Sequence, residues 1–208
     1  MQPFRILRGV AAPLMRQNVD TDVIIRVERL ISLERDALGP WAFESWRYTP
    51  DGAERPDFLL NQEPYRTAPI LLAADNFGCG SSREGAVWAL AGQGIRCVVA
   101  PSFGDIFYGN CFQNGVLPVA LPREEVDRMA EEARADPPGI WTVDLEAKAI
   151  TTPAGRRIAF AIDPQRREML LEGLDQIGLT RRREDEIDAF QARDRRERPW
   201  IYFERSAA

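Results

Sequence analysis

Short apolar runs flank a stretch of helical spacing in the middle of the chain. Residues 69–74 (PILLAA) and 95–100 (IRCVVA) are continuous apolar runs of strand length, a pattern typical of strands buried on both faces. Between them, residues 83–93 place apolar side chains at helical intervals after a Gly/Ser-rich turn. Strand, turn, helix and strand within about 30 residues predict a right-handed, parallel βαβ unit.

The segments on either side predict more of the same mixed architecture. Strands are predicted at residues 4–10, 116–121, 140–146 and 157–162, with a turn at Pro13, and helices at 103–111, 122–135, 164–172 and 183–193. Seven arginines and six acidic residues between positions 181 and 198 indicate a solvated helix face. We therefore expect an α/β domain over residues 1–180 and a helical tail over residues 181–208.

Composition and charge exclude several classes of protein. The chain has 208 residues, of which 45% are hydrophobic and 28% charged, as in ordinary globular domains. No apolar run approaches the roughly 20 residues of a membrane span, and Arg5 and Arg8 interrupt the N-terminal segment. A net charge of −5 argues against nucleic acid as a partner. We expect a soluble, cytoplasmic protein that binds neither membrane nor nucleic acid.

The residue types that are missing restrict the chemistry. There is no histidine, and Lys148 is the sole lysine, so histidine-based triads and zinc sites are excluded. The three cysteines, Cys79, Cys97 and Cys111, lack the spacing of a disulfide framework, a zinc site or a self-contained iron–sulfur site. We expect no metal on this chain, with any catalysis resting on Ser, Arg, Asp, Glu, Lys, Tyr or Cys.

The most informative stretch is the glycine loop at residues 77–84 (FGCGSSRE). It fits neither the dinucleotide fingerprint nor the phosphate loop, because the residues that should follow the glycines are absent. Gly78 and Gly80 let backbone N–H groups approach a ligand, and Arg83 supplies a fork suited to a carboxylate. The loop predicts an anion site at a helix start. A purely structural alternative is that Ser81 or Ser82 caps the helix and Arg83 pairs with a nearby acid.

The motifs along the chain resemble the small-subunit family of 3-isopropylmalate dehydratase, within the aconitase superfamily. The resemblance covers nearly the whole chain, and the matching segments are NVDTDVII at 18–25, WRY at 46–48, PDFLLN at 56–61, DNFGCGSSRE at 75–84, WAL at 88–90, VVAPSFGDIFYGNCFQNGVLPV at 98–119, VDLEA at 143–147 and GLDQIGLT at 173–180.

This resemblance implies a fold, a reaction and a partner. The fold is a swivelling β/β/α domain, a partly open, barrel-like sheet flanked by helices. The reaction removes water from a small hydroxy diacid and adds it back at the neighbouring carbon. The family's [4Fe–4S] cluster lies on a large subunit, with which this chain would form a heterodimer or higher heteromer, and no cofactor is expected on this chain.

The resemblance also assigns roles to individual residues. Ser81 matches the family's general base, Ser82 and Arg83 match the groups that hold a substrate carboxylate, and Arg35 stands at the arginine of the substrate-specificity loop. The sequence departs from the family at five positions, where it has Arg26, Asp36, Gly85, Val87 and Glu168. A sister hydro-lyase subunit for another diacid, such as a methylated malate or maleate or a homoaconitate-like acid, and a non-catalytic carboxylate-binding module therefore stay open.

Other conspicuous residues have ordinary structural explanations. Asp20 and Asp22 are expected to serve turn and capping hydrogen bonds rather than the site. Cys79 is expected to be a small filler, and Cys97 and Cys111 to lie in the core. Trp41, Trp46 and Trp88 are expected to pack in the core or at a subunit interface.

Overall fold

The computed structural model describes residues 1–81 and 83–202. Four strands, β1 (Ile6–Gly9), β6 (Trp141–Asp144), β7 (Ala149–Thr151) and β8 (Arg157–Ala159), form an antiparallel sheet in that order. The other four, β2 (Ala11–Leu14), β3 (Ile70–Ala73), β4 (Cys97–Ala100) and β5 (Leu117–Ala120), form a parallel sheet. The mixed α/β fold and the parallel pairing of the βαβ unit are confirmed.

The helices of the described residues fall into a group before β5 and a group after it. The first group is α1 (Thr21–Ile24), α2 (Val27–Ser32), α3 (Glu44–Arg47), α4 (Glu84–Gly92) and α5 (Asp105–Gln113). The second is α6 (Arg123–Ala135), α7 (Pro164–Glu172), α8 (Gln176–Arg181) and α9 (Glu184–Glu197). Short 3-10 turns lie at 35–37, 39–41, 59–61, 65–67 and 199–201. None of the helices in the described part of the chain is both long and apolar enough to cross a membrane.

The parallel sheet is buried on both faces, which explains its continuous apolar runs. Leu71 and Val98 face a core shared with α1 and α4, whereas Leu72 and Val99 face a second core shared with α6 and the antiparallel sheet. Because neighbouring residues of a strand point to opposite faces, one run such as ILLA contributes to both cores. The loops at the carboxyl ends of β2 and β3 hold the candidate site.

Pro13 does not make the predicted turn. It lies inside β2, opposite Leu72 of β3. β2 is an edge strand of the parallel sheet, and Pro118 lies in β5 at the other edge. An edge strand tolerates a residue without an N–H, because one side of it needs no ladder hydrogen bond. The chain therefore moves from one sheet to the other between Gly9 and Ala11 and not at the proline.

Candidate functional site

The glycine loop after β3 packs against the first turn of α5. Gly78 has a φ of +71°, and a Cβ at this position would stand 2.2 Å from the ring of Phe107. Phe107 is fully buried and packs edge-on against Phe77, with ring centroids 5.5 Å apart. A side chain at position 78 would therefore displace a core aromatic. The glycine is required here both by its backbone conformation and by the closeness of this contact.

A second loop, at residues 18–22, runs beside the glycine loop and is fixed to it by backbone hydrogen bonds. The N–H of Gly78 donates to the carbonyl of Val19 at 2.7 Å, and the N–H of Thr21 donates to the carbonyl of Cys79 at 3.0 Å. Asp20 and Cys79 pair as a parallel bridge. These contacts bring the first turn of α1 next to Ser81 and Arg83, although the two segments are some sixty positions apart.

Asp22 contacts both of the leading site residues. Its Oδ2 accepts a hydrogen bond from the Ser81 hydroxyl at 3.4 Å, a long contact, and its Oδ1 forms an ion pair with the Arg83 guanidinium. The Arg83 side chain is 29% exposed and that of Asp22 is 53% exposed. One carboxylate thus holds a serine hydroxyl and an arginine fork together at the surface, where a ligand can reach them.

The beginning of α4 differs from the capping arrangement that the sequence suggests. The residue at the N-cap is Arg83, and it makes no side-chain capping hydrogen bond. Ser81 lies two residues earlier and directs its hydroxyl to Asp22 instead. Ser82, the other predicted cap and carboxylate ligand, lies outside the described residues. The structural alternative is right in one respect, because Arg83 does pair with an acid, but that acid comes from α1.

The two aspartates of the 18–22 loop have different functions. Asp20 caps α1 by accepting the N–H of Val23 at 2.7 Å, which confirms the predicted turn chemistry. The same role is expected for Asp22 from the sequence, but Asp22 enters the site instead. The sequence does contain a signal for it, since a T-D step directly after the capping residue puts the second aspartate on the first turn of α1. Only the fold brings that turn to Ser81.

Cys79 sits within the loop but is not activated. Burial raises the pKa of its thiol, and the nearby Asp20 carboxylate raises the same pKa further. Cys97 and Cys111 are completely buried, and burial likewise raises the pKa of both thiols. A higher pKa leaves less thiolate at neutral pH, so none of the three is poised as a nucleophile or a metal ligand. The core positions predicted for Cys97 and Cys111 are confirmed.

Arg35 lies in a separate hydrogen-bond network on α4 and α5. Its Nη2 donates to Oδ1 of Asn114 at 2.9 Å, and its guanidinium lies 5.1 Å from the Trp88 ring. The indole N–H of Trp88 donates to the same Asn114 oxygen. The Nδ2 of Asn114 in turn donates to Oε1 of Glu84 at 2.8 Å. Arg35 is thus linked to the end of the glycine loop indirectly, through Asn114 and Glu84.

The tryptophans are half-buried, as packing residues at the surface would be. Trp41, Trp46 and Trp88 all pack against the core cluster around α1 and α4. Arg29 stacks on Trp41, Arg16 on Trp46 and Arg35 on Trp88. The predicted packing role is confirmed, and the arginines cover the ring faces that the core leaves open.

The site is open rather than enclosed. Ser81 is exposed, and the concave surface that includes Asp22 is a shallow hollow of about 340 Å³ beside α1 and α2. A larger groove, of about 1630 Å³, lies between α7, α8 and α9, and its lining includes neither Ser81 nor Arg83. Within residues 1–81 and 83–202, no three Cys, Asp or Glu side chains are grouped to hold a metal ion.

Comparisons with known proteins agree along the chain. The Aconitase C-terminal domain family matches residues 1–124, LeuD_N matches 127–164, and the C-terminal domain of the 3-isopropylmalate dehydratase small subunit matches 177–202. A 3-isopropylmalate dehydratase small subunit of Gluconacetobacter diazotrophicus is 54% identical over 96% of this chain and 97% of its own length. The corresponding protein of Rhodospirillum centenum is 55% identical over 96% and 98%.

A solved structure is similar as well. The crystal structure of 3-isopropylmalate dehydratase from Methanocaldococcus jannaschii superposes with a TM-score of 0.66 and 26% identity, over 88% of this chain and 99% of that one. The likeness therefore extends from sequence to fold.

Proposed function

Because this chain belongs to the family of 3-isopropylmalate dehydratase small subunits, a hydro-lyase family of leucine biosynthesis, we propose that Ser81 is the general base and Arg83 the carboxylate-binding residue that it contributes to the interconversion of 2- and 3-isopropylmalate. The observation that supports these roles is the shared carboxylate of Asp22, which contacts the hydroxyl of Ser81 and the guanidinium of Arg83.

Ser81 removes and returns the proton on carbon. In the dehydration direction its oxygen takes that proton, the C–H electron pair forms the double bond, and the substrate hydroxyl leaves as hydroxide, which becomes water with the proton that Ser81 had given up. A serine hydroxyl is a weak base unless it has lost its own proton and the resulting alkoxide is stabilised. The Asp22 carboxylate, which accepts the Ser81 hydrogen bond at 3.4 Å, is the acceptor for the proton that the Ser81 hydroxyl gives up. Rehydration reverses these steps.

Arg83 offsets the negative charge at the loop and holds the substrate. Once Asp22 has taken the proton of Ser81, the alkoxide is the negative charge at the loop, and the guanidinium in contact with Asp22 stabilises it. The fork of Arg83 also matches the two oxygens of a substrate carboxylate. In this structure Asp22 occupies part of the fork. Substrate binding therefore exchanges one carboxylate for another, with Ser82 sharing the new contact.

Arg35 forms a second, peripheral part of the substrate site. Its guanidinium is anchored by Asn114 and Trp88, so it has a fixed position relative to α4. We assign it to the substrate-specificity loop that the family resemblance implies. The backbone of Gly78 and Gly80 shapes the loop that presents Ser81, and both have positive φ values.

The partner supplies what this chain lacks. We propose a large subunit that holds a [4Fe–4S] cluster, since the three cysteines of this chain are too buried or too widely placed to hold one. When bound, such a cluster acts as a Lewis acid toward the substrate's hydroxyl and carboxylate. An exposed Ser81 on an open surface suits a site that is closed by a second protein. We place the assembly, a heterodimer or higher heteromer, in the cytoplasm, with the swivel domain at 1–180 and the tail at 181–208.

Reconstitution tests this proposal. The purified chain should be inactive alone, and mixing it with a large subunit that holds a reconstituted cluster should restore hydration of the unsaturated diacid intermediate. The matched control is the same large subunit mixed with an unrelated acidic protein of similar size. Robust turnover by the isolated chain, or no turnover by the mixture, would contradict the assignment.

A further inference from the structure

The C-terminal helices leave a wide groove open against the body of the protein. Its walls are the end of α5 and α7 on one side and α8, α9 and Tyr202 on the other. Apolar side chains line it, and those that are not buried, Leu179, Ile187 and Phe190, belong to α8 and α9. Phe190 is 49% exposed. At about 1630 Å³ the groove exceeds the roughly 300–1,000 Å³ of small-molecule sites, so its size suits a segment of polypeptide.

Four arginines and three acidic residues line the groove, so it has an excess of one positive charge although the chain as a whole is acidic. Arg166, Arg183 and Arg195 line it, and none of the three forms an ion pair within the described residues. The guanidinium of Arg166 lies 5.0 Å from the ring of Tyr108 and 4.9 Å from that of Phe112, and that of Arg195 lies 5.2 Å from Tyr202. Aromatic stacking holds the guanidinium planes while leaving their N–H edges available.

The carboxylates of the groove compensate only part of this charge. Glu168 already pairs with Arg182, and Asp163 caps α7 by accepting the N–H groups of Gln165 and Arg166. Glu186 is the remaining acid among the groove residues. The groove therefore has arginine charge that an acidic occupant would neutralise.

Helix α9 is attached to the rest of the chain in a way that keeps the groove open. Asp194 is the one buried residue of α9, and its carboxylate binds Arg198 and the Tyr202 hydroxyl. Along the rest of its length the helix is exposed or half-exposed. An apolar helix face that meets an open groove buries its surface only when a partner fills the groove.

We propose that this groove docks an acidic, amphipathic segment of the large subunit, as a contact separate from the Ser81 surface. The inference rests on the proposed function, because it takes the large subunit as the partner. The observations that favour it are the arginines without an ion pair, the apolar side chains of α8 and α9 and the size of the groove. An amphipathic segment would place its apolar side chains against Phe190 and Ile187 and its carboxylates against Arg183 and Arg195.

Charge reversal in the groove tests the proposal. The double variant Arg183→Glu/Arg195→Glu should raise the Kd for the purified large subunit at least about tenfold, since the loss of a single charge-assisted hydrogen bond is already of that order. Phe190→Ser should also weaken binding. The matched control is Arg181→Glu/Arg196→Glu, which makes the same change of charge in the tail at residues outside the groove lining. It should keep the wild-type Kd.

The outcomes separate this proposal from the assignment of function. If the wild-type chain binds the large subunit but the groove variants and the control have the same Kd, the groove proposal is wrong and the function stands. If the wild-type chain does not bind at all, the proposed function fails and takes the groove with it. Sedimentation of the chain alone is the remaining check: a homodimer that the double variant abolishes would make a second copy the occupant and overturn the proposal. Circular dichroism establishes that each variant is folded.

Discussion

Leu30 of α2 lies against the backbone of Gly85, in the first turn of α4. A Cβ at position 85 would stand 2.3 Å from Cδ2 of Leu30, so this contact exists only because residue 85 is a glycine. It places α2, the segment after the NVDTDVII motif, directly beside the residue that follows Glu84. The space that a larger residue at position 85 would need is therefore occupied by the Leu30 side chain of α2.

The variant Gly85→His, which puts a large side chain at this departure from the family, should destabilise the chain. The imidazole would have to displace Leu30 at a buried position, and overpacking of this kind costs about 1–3 kcal/mol. Urea unfolding of Gly85→His, Leu30→Ala and the double variant measures the coupling. The double variant should lose less stability than the sum of the single variants. Simple additivity would show that the Leu30–Gly85 contact does not restrict position 85.

Arg83→Lys should weaken substrate binding more than it slows the chemical step. Lysine keeps the charge but replaces a two-pronged contact with a single point, and loss of one charge-assisted hydrogen bond corresponds to roughly 10- to 200-fold in KM. The measurement is steady-state kinetics on the assembled complex. Arg5→Lys, at an exposed arginine that pairs with Glu146 beside the antiparallel sheet, is the matched control and should leave KM unchanged. A fall in kcat with a normal KM would move Arg83 out of the binding role.

The contacts of Asp194 with Tyr202 and Arg198, which hold the end of the tail, should weaken at low pH. The hydrogen bond from the Tyr202 hydroxyl is the main cause that lowers the pKa of Asp194, and Arg198 lowers it further. A lowered folded-state pKa means that this stabilisation is present above the ordinary carboxyl pKa and is lost as pH falls through the folded value. The protection factors of the α9 amides, which correct for the intrinsic exchange rate at each pH, should therefore fall below about pH 4. Asp194→Asn should show low protection already at pH 7, and wild-type protection that does not change with pH would contradict this role of Asp194.

The sequence predicts the regular elements well because their patterns are local. The run ILLA, the helix at residues 164–172 and the acidic start of α6 are each evident within one segment. The turn predicted at Pro13 is wrong because a proline is tolerated there only if β2 is an edge strand. That is a property of the sheet, which no local pattern contains. Helices α2 and α8 have six residues each, too few for a clear helical period.

Some residues of the site can be found from a local motif, whereas others are brought there by contacts between distant segments. The glycine loop, with Ser81 and Arg83, is a contiguous motif and can be found from the sequence. For Asp22 the sequence indicates only turn chemistry, since its contact with Ser81 spans 59 positions and depends on the backbone bonds between the two loops. Resemblance places Arg35 near the substrate, but its fixed partner, Asn114, cannot be inferred from spacing alone.

The proton-transfer role of Ser81 is the central claim, and Ser81→Ala tests it most directly. The assembled complex should lose about 10²–10⁴ in kcat, while its thermal stability and its affinity for the large subunit stay at wild-type values, because Ser81 is exposed and its contact with Asp22 is long. Ser32→Ala, at an exposed serine whose hydroxyl donates to the Glu28 carbonyl of its own helix, is the matched control and should keep full activity. A near-normal kcat for Ser81→Ala would contradict the account.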